Sequence, residues 1–204
     1  MEFSGEDVPG AGSQSETAEA NADLVRHARL GDQAAWEALV RQHQEPVFRL
    51  AYLFLGDADE AEDVAQESFV RAYLALDRFD TSRSLRPWLL SIVANQARNR
   101  RRSLGRFFKA WQKLVQEQPE SIKNERNGED RRWQSRELVS AVRRLGQNEQ
   151  QIIYLRYFLD LSVDETAEAL EVAPGTVKSR LHRALHRLRQ LIDREHPELK
   201  ELWE

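Results

Sequence analysis

Cysteine is absent from all 204 residues. Disulfides and thiolate metal sites are thereby excluded, and a reducing compartment fits. Long apolar runs are missing too. The longest, Leu50 to Leu55, is far shorter than the roughly 20 residues a membrane helix needs, so no membrane insertion is expected. The first ten residues have neither a basic start nor an apolar stretch, so a secretory signal is not expected and the cytoplasm is the predicted location. No convincing stretch alternates apolar and polar residues as a strand would. There is also no HExxH pair, no glycine-rich phosphate loop and no nucleophile elbow. His182 and His186 stand four apart, a spacing that can ligate metal, but without a nearby acidic ligand. The sequence reads as a protein that is not an enzyme and uses no metal and no cofactor.

What is present is charge in segregated blocks. Hydrophobic residues make up 41% and charged residues 31%, which fits a folded chain, and the net charge is −4. That total conceals its distribution. Residues 1–23 carry six acids and no Lys or Arg, residues 98–113 seven Lys/Arg and no acid, and residues 174–194 six Lys/Arg against Asp193. Screening at physiological salt acts over about 8 Å, so local stripes govern phosphate binding more than the total does. A basic stripe alone also fits a solvated helix face.

The periodicity is helical from Asp23 onward and predicts an all-α chain of two small domains joined by a linker. Residues 1–21 read as a disordered acidic tail. Residues 22–103 form a first domain of about five helices. Gly31 ends the first helix, Asp32 caps the second, Pro46 opens a third, Asp59 with Glu62 caps a fourth, and Pro87 opens a fifth. Residues 104–131 read as a linker that starts with a basic aromatic patch, Phe107 to Trp111, and continues through Pro119, Asn127 and Gly128. Residues 132–194 form a second, four-helix domain without a wing, in which Asn148 can cap the second helix. Residues 195–204 are a short acidic tail.

The end of the second domain carries the sharpest motif. Ser162 and Glu165 stand at capping-box spacing before a short helix with Ala167 and Leu170 inward. Glu171 to Ala173 make a turn, and Pro174 can take the first position of the next helix. Val177, Leu181, Leu185, Leu188 and Ile192 line one face of that helix. Lys178, Ser179, Arg180, His182, Arg183 and Arg187 lie opposite. This is the helix-turn-helix pattern, whose second helix enters the major groove and reads base edges near its N-terminus. Lys and Arg can donate to guanine or phosphate, and Thr176 and Ser179 can bond either. An ordinary helical hairpin with a solvated basic face shares some of these features, but not all of them together.

The string Val172 to Ala184 resembles region 4 of bacterial sigma factors of the sigma-70 family, nearest to the small extracytoplasmic-function group. Asp63 to Tyr73 is similar to that family's polymerase-docking motif in region 2, and Pro87 to Asn99 resembles its helix that melts and reads the −10 element. The resemblance spans about residues 22–192. It implies an initiation factor that binds core RNA polymerase, directs it to promoter DNA through −35 and −10 elements, and assists strand opening. Asp63, Gln66, Glu67 and Phe69 would meet the clamp helices of the largest subunit, and the second domain the flap of the second-largest. Asn95 and Asn99 would read −10 bases, with Arg98, Arg101 and Arg102 on backbone phosphates. Phe79, Arg83 and the rest of the loop to Arg86 would cradle a flipped base beside Trp88. Thr176, Lys178, Ser179, Arg180, His182, Arg183 and Arg187 would read the −35 element. The resemblance also implies an anti-sigma factor as a partner.

Some positions keep a plainer reading. Phe69 also fits a core position and Trp88 a packing one. Leu145-Gly146 stands where many relatives have Leu-Pro, so the following helix start should be looser. The alternative to a sigma factor is a helix-turn-helix activator that is not a polymerase subunit. Such outputs usually follow a sensor or receiver domain of alternating strands and helices, which this first half does not resemble.

Overall fold

The computed structural model describes residues 21–114 and 130–195, with side chains described at 21–104 and 137–195. The acidic tails, most of the linker and the side chains of the Phe107–Trp111 patch lie outside the described residues. Among those described there is no strand. The architecture is all-α, two small helical domains joined by a linker, the second containing the helix-turn-helix.

Helix α1 covers 21–29 and ends at Gly31, which adopts φ +87, a conformation that favours glycine. Helix α2, Gln33–Leu55, starts at Asp32, whose carboxylate accepts the Ala35 N–H at 3.2 Å. It does not stop at Pro46. The two helices predicted on either side of that proline are one, because Leu39, His43, Val47, Leu50 and Phe54 keep a single buried stripe through it. Burial along 23 residues outweighs one missing backbone hydrogen bond. Helix α3, Ala58–Ala75, is capped by Asp57, which accepts from Glu60 N–H at 2.9 Å, so Asp59 lies in its first turn instead of at its cap. A 3-10 turn, Leu76–Arg78, follows. Helix α4, Leu85–Leu114, begins two residues before Pro87 and runs on through the start of the expected linker.

Helices α2, α3 and α4 pack on one another around Val47, Leu50, Ala51, Phe54, Val64, Ala65, Ala72, Leu90, Val93 and Ala97. A smaller cluster beneath α1 holds Val25, Ala28, Leu39, Leu76, Phe79 and Leu85, and Trp36 and Trp88 touch both clusters. Four helices thus stand where five were expected.

The second domain comprises α5 (Asp130–Arg143), α6 (Gln147–Ile153) with a π-helical continuation (Tyr154–Phe158), α7 (Val163–Leu170) and α8 (Pro174–Glu195). Helix α6 is capped at Gly146, not at Asn148. The Glu149 carboxylate accepts the Gly146 N–H at 3.0 Å, and this closes the turn that proline would stiffen elsewhere. The π turn shifts register so that Tyr154 and Phe158 meet edge to face at 5.6 Å. Tyr154 also meets Phe54 of α2 at 5.1 Å and 89°. The apolar interiors of the two domains are therefore continuous.

His43 lies buried in α2. Burial, with Arg86 adding to it, holds its pKa down to about 4. The ring is neutral in the fold, while an unfolded chain takes up its proton below about pH 6.5. Stability should therefore fall by about 3 kcal/mol between pH 6.5 and 4 on this account alone. Comparing denaturant midpoints of wild type and His43→Leu across that range checks this. The variant should lose less stability on acidification than wild type, and parallel curves contradict the assignment.

Candidate nucleic-acid interface

The helix-turn-helix forms as its sequence dictates. Ser162 Oγ accepts from Glu165 N–H at 3.1 Å, and the Glu165 carboxylate accepts from Ser162 N–H at 2.7 Å. Two otherwise unpaired backbone donors are satisfied reciprocally. Glu171 ends α7 in the left-handed conformation at φ +53, and Val172 N–H reaches back to the Ala167 carbonyl at 3.0 Å. Pro174 then opens α8, with Ala173 carbonyl accepting from Thr176 and Val177. Val177, Ala184, Leu188, Leu191 and Ile192 are buried, which fixes the roll of α8 about its axis.

That roll leaves Lys178, Ser179, His182, Arg183 and Arg187 exposed, and Arg180 and Thr176 half-buried. Ser179 Oγ donates to the Thr176 carbonyl at 3.1 Å, and Arg183 Nε to the Ser179 carbonyl at 3.3 Å. Arg187 is engaged with Glu149 of α6 at 2.6 Å. His186 meets Gln190 at 3.0 Å. Among the described residues no group of histidines and acids could hold a metal ion.

A second polar surface lies on α4. Asn95 and Asn99 are exposed one turn apart. The flanking arginines face the second domain. Arg98 donates to Gln151 Oε1 at 2.8 Å, Arg101 to Gln150 Oε1 at 2.7 Å and Arg102 to Gln147 Oε1 at 3.3 Å. Arg98 also donates to Asn95 Oδ1. Arg100 pairs instead with Glu60 at 3.2 Å and Glu67 at 3.6 Å.

The loop before α4 divides in two. Phe79 is buried against Trp88, ring centroids 4.7 Å apart, so its ring is a core group here. Arg83 is exposed and approaches the Glu168 carbonyl at 3.5 Å. Asp80 accepts from the Ser82 hydroxyl and N–H, which hold its pKa below the usual carboxylate range.

On α3, Asp63, Gln66 and Glu67 are exposed and Phe69 is half-buried against Trp36 at 6.4 Å. Glu67 also accepts from Gln96 at 3.1 Å. Beside them a groove of about 540 Å³ runs between α2 and α3, lined by Val40, Gln44, Phe48, Glu62, Gln66 and Phe69. The α2 half of this groove was not anticipated. Its signal was Phe48 and Tyr52, four apart, which stack in the open at 6.2 Å. The glutamines of α6 were missed as well, because no local pattern tells which arginine a glutamine will meet.

These two helical domains define a class of protein with separate family matches. The description "Sigma-70 region 2" matches residues 39–107, and "Sigma-70, region 4" matches residues 135–188. The chain is 31% identical over 197 residues to the RNA polymerase sigma-H factor of Pseudomonas aeruginosa, covering 87% of this chain and 94% of that protein. It is 32% identical over 169 residues to the ECF RNA polymerase sigma factor SigL of Mycobacterium tuberculosis, covering 81% and 93%. The solved structure of CnrH with the cytosolic domain of CnrY superposes with TM-score 0.65 at 26% identity, over 86% of this chain and 99% of that one. The sigma factor RpoE of Bartonella quintana, solved with the anti-sigma factor NepR, shares the fold, with TM-score 0.59 at 22% identity over 78% and 98%. The chain belongs to the sigma-70 family, in its extracytoplasmic-function group. It is an RNA polymerase sigma factor that directs the enzyme to promoters, and the activator reading is not favoured.

The Ser162 cap sets the entry of the helix-turn-helix. Ser162→Ala should cost about 1 kcal/mol of stability. Urea unfolding of the full chain measures it, and an unchanged midpoint would show that the cap contributes nothing.

Proposed function

We propose the following division of labour among the residues. Lys178, Ser179, Arg180, His182 and Arg183 on α8 read the −35 element, with Thr176 and Arg187 on its phosphates. Asn95 and Asn99 on α4 read −10 bases, since a carboxamide both donates to and accepts from an adenine edge. Arg98, Arg101, Arg102 and Arg83 hold the strand backbone, and Trp88 flanks the separated bases. Asp63, Gln66, Glu67 and Phe69, with the adjoining α2–α3 groove, receive the clamp helices of polymerase, while the second domain meets the flap. The observation that carries this reading is that one chain presents both an exposed basic α8 and the exposed Asn95–Asn99 pair. Each contact alone is weak, and polymerase raises the affinity by fixing the spacing of the two domains.

On this reading the chain acts by binding and performs no catalysis of its own. It works in the cytoplasm, where its polymerase is, and among the described residues no helix is long and apolar enough to cross a membrane. Restraint by an anti-sigma factor follows from the family, with RpoE in its NepR complex as a structural parallel.

The test is transcription in vitro with core polymerase on fragmented genomic DNA, followed by start-site mapping. The chain alone should confer initiation at specific sites, and an unchanged start-site pattern contradicts the reading. With the promoter in hand, Arg180→Ala with Arg183→Ala should lower −35-dependent transcription about tenfold or more. Unaltered promoter selection would remove those two residues from the interface. Exchanging Asn95 or Asn99 for Ala should change −10 base preference in the same assay, and an identical preference profile excludes that role.

A further inference from the structure

The arginines assigned above to the DNA backbone are not free. Arg98, Arg101 and Arg102 each donate to a different glutamine of the second domain, Gln151, Gln150 and Gln147, at 2.8, 2.7 and 3.3 Å. All three acceptors are neutral carboxamide oxygens on α6, Gln147 one turn before the adjacent Gln150 and Gln151. Gln150 and Gln151 are buried by the arrangement. The same pair of domains also meets through the apolar packing of Phe54 on Tyr154.

Other arginines clasp the same seam through backbone carbonyls. Arg143 of α5 donates to the Leu53 and Tyr52 carbonyls at 3.1 and 3.0 Å. These belong to the last turn of α2, where the helix dipole favours a cation; the Tyr52 carbonyl also accepts the Gly56 N–H at 2.8 Å. Gly56, at φ +79, leaves the room: a Cβ there would lie 2.5 Å from the Arg143 guanidinium. From the opposite side Arg86 donates to the Leu159 carbonyl at 2.6 Å, at the end of the π turn.

We propose that the glutamine face of α6 occupies the place of DNA phosphate in the free chain, so that the second domain and the −10 strand compete for Arg98, Arg101 and Arg102. The inference rests on the phosphate role given to those arginines above. The chemistry suits a reversible clasp. A guanidinium bonded to a neutral amide oxygen is held, but a phosphate adds the attraction of a full opposite charge and can be gripped by two parallel N–H donors. The clasp therefore satisfies the arginines without DNA and yields to DNA when polymerase draws the domains apart. It lowers the apparent affinity of the free chain for a strand by the fraction of molecules that are open.

The test uses the full-length chain in two opposed variants. Gln150 is left alone, because its amide caps the Arg143 and Leu145 carbonyls at 2.7 Å each. Gln147→Ala with Gln151→Ala removes two acceptors. Gln147→Glu with Gln151→Glu turns them into charged ones. Small-angle X-ray scattering without DNA reads the clasp, and anisotropy of a labelled random-sequence 12-nucleotide single strand reads the competition. The alanine pair should raise the radius of gyration and tighten strand binding by about threefold or more. The glutamate pair should stay as compact as wild type or more so and bind the strand less. Unchanged scattering of the alanine pair overturns the clasp. Expansion of the alanine pair without tighter strand binding overturns the competition. In that case adding Arg98→Ala, Arg101→Ala and Arg102→Ala to the alanine pair locates the failure. If strand binding then drops, the arginines do grip phosphate and only the competition is wrong. If it does not, the phosphate role itself has failed.

Discussion

Tyr154 packs edge-on against Phe54, and that contact joins the apolar interior of the first domain to that of the second. An aromatic pair of this geometry contributes about 0.5–1.5 kcal/mol beyond the area it buries. Its larger effect is positional. Together with the packing of α7 on α4, it sets how the second domain lies on the first, and thereby which polar groups line the seam. The π turn at Tyr154–Phe158 carries Tyr154 into this contact and sets Phe158 edge-on against the same ring.

Around the apolar centre the seam is polar, and its donors are almost all arginine. Arg86 and Arg143 go to backbone carbonyls, and Arg98, Arg101 and Arg102 to glutamine oxygens. Guanidinium groups suit this because they stay charged, offer several donors in a plane and are weakly hydrated for a cation. Those same properties suit them to a nucleic-acid backbone. On the proposed reading, a surface that binds phosphate in one state finds acceptors in its own chain in the other, and the neutral glutamines of α6 are those acceptors.

The groups proposed to read bases are arranged differently. Asn95, Asn99, Lys178, Ser179, His182 and Arg183 stay exposed. The distinction follows from packing. Each of these lies opposite a buried stripe, Val93, Ala94 and Ala97 on α4 and Val177, Ala184 and Leu188 on α8, so burial of one face turns the other outward. Phe79 obeys the same rule in the other direction. Its ring completes the small cluster under α1 against Trp88, and the loop offers its polar residues instead.

Local chemistry in the sequence determined much of this. The all-α class, Gly31 as a stop, Asp32 and Ser162 as caps, Pro174 as a helix start and the outward basic face of α8 each depend on residues within one or two turns of one another. The caps at Asp57 and Gly146 lie two residues before the ones expected and are just as local, closed by the Glu60 N–H and the Glu149 carboxylate; where Pro46 failed to break α2, the decision came from elsewhere in the fold. A long helix tolerates a proline when its buried stripe continues past it, and that stripe exists only because α3 and α4 cover it. The seam between the domains lies wholly beyond the sequence. Arg98 and Gln151 are 53 residues apart, and Arg143 and Leu53 are 90. Hydrogen-bond partners at such separations carry no periodicity, so only the packing of the two domains on each other, Phe54 on Tyr154 and α7 on α4, could choose them.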